Sequence, residues 1–570
     1  MKNKQIASKG IAIGKAFIYQ DEGFDVPKNK TKDVKKEKEK LKDALKKSSD
    51  DIKKIKEKSE ANLKQNAGIF DAHLEMINDP ELIKQTEAMI ENETLAAETA
   101  YDKVADQYIE IFKNMDDPYF KERAGDIKDI KNRVLAYLLG KTPKTNIKTA
   151  QEDTILIAKD LAPSDTATLD FDYVKGMITE MGGTTSHTAI MSRALNIPAI
   201  VGAKGLIEKI KSGDTIALDA LNNNIIINPK QTELDKLKAQ QKDWQAHLKT
   251  LNKYIDNPTK TKDDHQIPLF ANIGNAEEAK NLKDVGAEGV GLFRTEFLFM
   301  QSAEAPDLKT QIKAYQTVFE TIQPVIIRTV DIGGDKDIPY LKLDKEENPF
   351  LGVRGIRLAL QEKELFKTQL KALLIAAKDQ DDLRIMLPMV ATINEIKKSK
   401  AILNEVKKAL KKDKKAFQDN IKLGIMIEVP AAALNAFELA KHVDFFSIGT
   451  NDLIQYLFAA DRTNENLSHL YEPYDPTLLS TISRIIQAGH QEDIPVGLCG
   501  EIASKLDLAL ILTGLGIDEL SMSPTSILEI RKTLASLNIT DLRTLAQAIL
   551  KAKDAKDVKK LIKQFKDDNL

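Results

Sequence analysis

Residues 423–453 read LGIMIEVPAAALNAFELAKHVDFFSIGTNDL. Two short apolar runs, 423–429 and 444–449, have the length and β-branched or aromatic content of buried strands. A helical pattern opening at Pro430 separates them. The first run carries Glu428 one residue before its end, and the second is followed by Thr450, Asn451 and Asp452. The same unit recurs on both sides. Further strand candidates are 268–273, 289–293, 325–330, 383–389, 495–499 and 518–523, most of them separated by helical patterns. Eight strand–helix units over about 300 residues predict a (β/α)8 barrel.

In such a barrel the chemistry sits at the C-terminal strand ends. Here those ends carry Arg294, Arg328, Glu428, Asn451 with Asp452, and Cys499 with Glu501. Of the 84 basic residues only 12 are Arg, which leaves 72 Lys. A chain that uses Lys so freely keeps Arg for forked, two-pronged contacts with carboxylate or phosphate. Arg294, Arg328 and Arg462 suit an anion. Glu428 and Asp452 are hard oxygen donors of the kind Mg2+ prefers. Arg354 and Arg357 are either part of that site or ordinary ion-pair partners. Cys499 is either a buried small hydrophobe or an acid or nucleophile at the barrel mouth.

The N-terminal half reads differently. Residues 1–20 suggest one or two short strands. From about 30 to 140 the apolar residues recur at helical spacing, with helix breaks at Asp79-Pro80 and Asp117-Pro118. Strands alternate with helices again at 154–158, 174–179, 198–201, 215–219 and 225–227. Between them Gly182-Gly183-Thr184-Thr185-Ser186-His187 leads into an apolar helix, 188–195. A histidine at a helix start lies near free backbone N–H groups, which favour an anion on or beside the ring; the alternative is a structural histidine. The expected organisation is α/β throughout. Segments 1–25 and 145–230 form one α/β domain, 26–144 an all-helical insertion, 231–260 a linker helix and hinge, and 261–570 the barrel.

The 570 residues allow about three domains at roughly 100–200 residues each. At 42% hydrophobic residues the chain can fill its cores, which excludes wholesale disorder. The net charge of −2 gives no field for nucleic acid or an anionic membrane. Cys499 is the only cysteine, so no intrachain disulfide exists. No apolar run reaches the roughly 20 residues of a membrane helix, and the first residues lack a signal-peptide core. The composition reads as a soluble cytoplasmic protein.

Six longer segments carry a resemblance. GGTTSHTAIMSRALNIPAIVG (182–202), GVGLFRTEFLFM (289–300), RTVDIGGDK (328–336), EENPFLGVRGIR (346–357), FFSIGTNDLIQYLFAADR (445–462) and LCGEIA (498–503) closely resemble the Enzyme I family of the bacterial sugar phosphotransferase system. The likeness spans nearly the whole chain. The barrel and histidine motifs are shared with pyruvate phosphate dikinase and phosphoenolpyruvate synthase, but 570 residues leave no room for their ATP-binding domain.

The resemblance implies a transferase that takes the phosphoryl group of phosphoenolpyruvate onto His187 and passes it to the carrier protein HPr, releasing pyruvate. It implies that Arg294, Arg328, Asn451, Asp452 and Arg462 bind substrate and that Glu428 and Asp452 hold Mg2+. It makes Cys499 the acid that protonates the methylene carbon. It places His73 and Met76 on the helical docking surface for HPr, and makes the barrel a dimerisation domain. Three positions depart from the family pattern: Thr184 where Arg is usual, Val353 where an aromatic residue is frequent, and Val429 where Thr or Ile is common. Two further readings are a barrel enzyme with a small-molecule acceptor and a regulatory phosphoprotein without turnover. The absence of an ATP-binding segment and the intact barrel residues argue against them.

Overall fold

The computed structural model describes residues 4–19, 24–63, 67–113, 118–141, 152–161, 165, 169, 172–183, 186–195, 197–300, 304–333, 340–341, 346–462, 464, 467 and 469–570. The chain divides into two compact units, 1–248 and 249–570. The division falls inside the helix Gln231–Asn252, within the segment expected to link the halves.

The first unit holds a seven-stranded mixed sheet and a helical subdomain. Strands β1 (Gln5–Ser8), β2 (Ile11–Tyr19), β3 (Thr154–Ala158), β4 (Val174–Thr179), β5 (Ala199–Val201), β6 (Thr215–Asp219) and β7 (Asn224–Ile227) form it in the order β1-β5-β4-β3-β2-β6-β7. The central strands β2, β3, β4 and β5 run parallel. Such strands are covered on both faces, and β3 is buried at all five residues. Its alternate side chains fall in two cores: Leu156 and Ala158 in one, Ile155 and Ile157 in the other.

The helical subdomain consists of α1 (Val34–Leu63), α2 (Ala67–Ile77), α3 (Pro80–Asn92), α4 (Ala97–Lys113) and α5 (Pro118–Leu138). Asp79 caps α3 by accepting from the Leu82 N–H, with Pro80 at the first helical position. Leu41, Leu45, Ile52 and Ile55 of α1 recur at helical spacing and are buried. They pack with Ile90, Tyr101, Val104 and Val134 into a separate core.

The second unit is a closed barrel of eight parallel strands. They are β8 (Leu269–Ile273), β9 (Val290–Arg294), β10 (Val325–Arg328), β11 (Leu383–Leu387), β12 (Ile421–Ile427), β13 (Phe446–Ile448), β14 (Val496–Leu498) and β15 (Glu519–Met522). Each expected strand is present. Period-two alternation sorts their side chains. Ile385 and Leu387 of β11, like Ile425 and Ile427 of β12, face the surrounding helices in one large core. Met386 and Met426 turn inward with Leu292, Ile326, Phe445 and Cys499 to fill the barrel. Phe445 takes the space a side chain at Gly424 would need: a Cβ there would lie 2.4 Å from its ring.

Candidate active site

The inward parity continues past the apolar layer. Arg294 follows Leu292 by two residues, Arg328 follows Ile326, and Glu428 follows Met426. Arg294 and Arg328 are register partners at the ends of β9 and β10. Polar groups therefore stand on the apolar plug at the C-terminal mouth. Met386 is in register with Arg328 one strand further on.

A buried charge network joins four of the expected or quoted segments. Arg328 Nη2 donates to Glu296 Oε1 at 3.0 Å, and its Nη1 lies 3.2 Å from Asp331 Oδ2. Glu296 Oε1 also accepts from the Asp331 N–H at 2.9 Å. Arg354 uses both edges of its guanidinium. Nε and Nη2 each reach Asp331 at 3.0 Å, while Nη1 and Nη2 each reach Asp452 at 3.1 Å. Burial alone would lower the pKa of Arg328 and Arg354, and the surrounding carboxylates reverse this, so both are raised.

Glu428 is 1% exposed, and its Oε1 accepts from the Met389 N–H at 2.7 Å. Burial, then the nearby Asp452 and Asp331, holds its carboxyl well above the usual carboxylate range. Met389 adopts a left-handed backbone, φ 57°, which aims this N–H. Gly333, at φ 104°, passes so close to the Val353 carbonyl that a Cβ would lie 2.1 Å from it. An isolated bridge between Gly333 and Arg354 forms at this close approach and holds the loop that carries Arg354.

The remaining expected residues lie around this network. Asn451 Oδ1 accepts from the Glu501 N–H at 3.3 Å. Arg462 is exposed, and its backbone N–H is held by Gln455. Cys499 is 2% exposed, and burial pushes its thiol up to about 11. At this mouth two buried polar atoms, Arg328 Nε and Thr450 Oγ1, have no hydrogen-bond partner among the described residues.

In the first unit His187 is the first residue of the helix His187–Ala194, capped by the Ser186 hydroxyl, which accepts from the Ala189 N–H at 3.4 Å. Thr184, Asp335 and Lys336 lie outside the described residues. His73, expected on the docking surface, lies inside the helical subdomain. Its ring is fully buried, edge-on to Phe70, with Nε2 3.5 Å from Asp126 Oδ1. Met76, one turn on, is half-buried.

Three sequence profiles of phosphoenolpyruvate-utilising enzymes match: the phosphoenolpyruvate-binding domain over 249–539, the N-terminal domain over 5–123 and the mobile domain over 150–223. Proteins named phosphoenolpyruvate-protein phosphotransferase are similar over 98% of this chain. They include those of Priestia megaterium (44% identical, 97% of that protein covered) and Bacillus subtilis (43%, 98% covered). That of Staphylococcus aureus is 44% identical, with 98% covered. The chain belongs to the phosphoenolpyruvate-protein phosphotransferase family. A solution structure of an Enzyme I protein is 40% identical, covering 43% of this chain and 100% of that one, with a TM-score of 0.37.

The match to the phosphoenolpyruvate-binding domain of this phosphotransferase family starts where the second unit starts and contains all eight barrel strands. The mobile-domain match contains His187. Sequence reading alone missed Glu296 and Asp331 and left Arg354 undecided. All three stand in motifs quoted above, but nothing in their spacing shows that they pair with one another.

Proposed function

We propose that this chain takes the phosphoryl group of phosphoenolpyruvate onto His187 and passes it to a histidine of HPr, releasing pyruvate, as the first step of sugar phosphotransfer. The observation that carries this reading is the mouth of the barrel. A buried arginine, Arg328, has an Nε there with no hydrogen-bond partner among the described residues, inside a domain that matches a phosphoenolpyruvate-binding profile. A small trianion needs forked cations in a dry site; Arg294 adds a second at the end of β9, and Arg462, in the loop after the helix Thr450–Leu457, would add a third.

The site also fits Mg2+. In the connected network Glu296, Asp331, Glu428 and Asp452 face two guanidiniums, so full ionisation leaves an excess of two negative charges. Among the described residues no three His, Cys, Asp or Glu side chains converge as a ready-made metal cage. Mg2+ usually keeps water and substrate oxygens in its shell, so two protein carboxylates suffice. Glu428 and Asp452 would hold it, and bound there it would offset the negative charge of the substrate. Arg354 holds Asp452 in place from the opposite edge, and Met389 fixes one oxygen of Glu428, leaving the other turned from that N–H.

Cys499 at the end of β14 supplies the proton that turns the enolate into pyruvate. A thiol with a pKa near 11 stays protonated at neutral pH, as an acid must. The homodimer through the barrel and a cytoplasmic location complete the proposal. No helix among the described residues is long and apolar enough to cross a membrane. Incubation with 32P-labelled phosphoenolpyruvate, Mg2+ and HPr tests the reading. Base-stable, acid-labile label on the chain that moves to HPr is expected. Pyruvate release with label only on a small molecule would contradict it.

A further inference from the structure

Ser447 lies on the inner face of β13, 2% exposed, in register with Met426 on one side and Gly497 on the other. Its hydroxyl donates to Cys499 Sγ at 3.2 Å. The sulfur lies 3.8 Å from the Ile448 carbonyl oxygen, which can only accept. The thiol is thus held between one donor and one acceptor, over an apolar floor that includes Leu292, Ile326 and Met386. Among the described residues, Ser447 supplies the hydrogen bond donated to this sulfur.

We propose that Ser447 is a positioning residue for proton transfer from Cys499, aiming the thiol and stabilising the thiolate left behind. This rests on the reading of Cys499 as the acid. As the phosphoryl group leaves, phosphoenolpyruvate becomes the enolate of pyruvate. The S–H bond breaks, and the proton joins the methylene carbon using the electron pair of the enolate C=C bond. The S–H pair stays on sulfur as thiolate, and the enolate oxygen becomes the ketone. Water later reprotonates the sulfur.

A thiolate in this apolar setting is costly, and burial raises the thiol pKa for that reason. The bond from Ser447 opposes the shift, as do the positive charges of Arg328 and Arg294, while Glu428 adds to it. A hydrogen bond to a charged acceptor is strong enough to change the thiolate population by a factor of about ten. The Ile448 carbonyl cannot take over the role.

Cys499 is the only cysteine in the chain, so alkylation of the intact native protein reads this thiol alone. The test compares Ser447→Ala with the unsubstituted protein in two assays. The first is the rate of iodoacetamide alkylation at pH 9, followed by intact mass. The second is steady-state pyruvate formation with Mg2+ and HPr. About tenfold slower alkylation is expected, with kcat lowered about tenfold and KM for phosphoenolpyruvate within about twofold. Alkylation that is unchanged or faster overturns the proposal. So does slower alkylation with unchanged kcat. Cys499→Ala is measured beside it: if that variant forms pyruvate at the full rate, the acid assignment fails by itself, and the catalytic use of Ser447 falls with it. Slow turnover of Cys499→Ala with normal alkylation and kcat in Ser447→Ala keeps the acid and rejects Ser447.

Discussion

Arg328 shows at the scale of one residue why this Lys-rich chain spends an arginine here. One edge of its guanidinium meets Glu296 and Asp331, and Nε remains free. An ammonium cannot satisfy two carboxylates and still present a directed donor. Arg328→Lys is therefore expected to lower kcat/KM for phosphoenolpyruvate at least 100-fold while the barrel stays folded. Steady-state kinetics with circular dichroism as the folding control checks this, and kinetics within threefold of normal would refute it. The individual site residues were legible where parity and position sufficed. Arg294, Arg328, Glu428 and Cys499 stand at strand ends on the inward face. Arg354 was not, because a loop carries it, and only the turn at Gly333 brings it to Asp331 and Asp452. The buried ring of His73 was not legible for a related reason: helical spacing does not say which way one ring on the helix turns.

At the scale of elements the strands were the most legible feature, because parallel barrel strands are short continuous apolar runs with turn residues around them. The expected runs and the observed strands differ by a few residues at their ends. What the pattern could not show is how the segment after the linker helix is fastened. Arg531, 1% exposed, donates through Nε to Thr259 at 2.7 Å and through Nη1 to the Tyr254 and Ile255 carbonyls at 2.7 and 3.0 Å. Its Nη2 reaches Gly286 and Glu288. Replacing it with Met leaves Glu288 and three carbonyls short of a donor, at a cost of about 3–5 kcal/mol. The barrel's transition in urea should move to a clearly lower midpoint in Arg531→Met, and an unmoved midpoint would contradict the latch.

The opposite end of the barrel carries a second buried group, Glu519 at the start of β15. Arg384 gives its Nε and Nη2 to Asp382 and reaches Glu519 only at 3.6 Å. Burial therefore dominates and pushes the Glu519 carboxyl up to about 8, from an ordinary 4.5. The folded state then holds a proton that the unfolded chain has lost, so this group's contribution is complete below pH 4.5 and declines as pH rises to 8. Glu519→Gln keeps the shape and removes the charge. Its stability relative to the unsubstituted protein should grow by up to a few kcal/mol between pH 5 and pH 8 in denaturant titrations. A constant difference across that range would contradict the buried, weakly paired carboxyl.

For the molecule as a whole, the chain places an anion site in one unit and a helix-start histidine in the other. The net charge of −2 gave no hint of this, since the useful charges are a few arginines set among 72 lysines. In the proposed reaction the phosphoryl group of phosphoenolpyruvate moves to His187 and stays covalently bound there. The most direct test adds 32P-labelled phosphoenolpyruvate and Mg2+ to the full-length protein and to His187→Ala, without HPr. One base-stable, acid-labile phosphate per chain is expected in the unsubstituted protein and none in His187→Ala. Equal labelling of both proteins would contradict it.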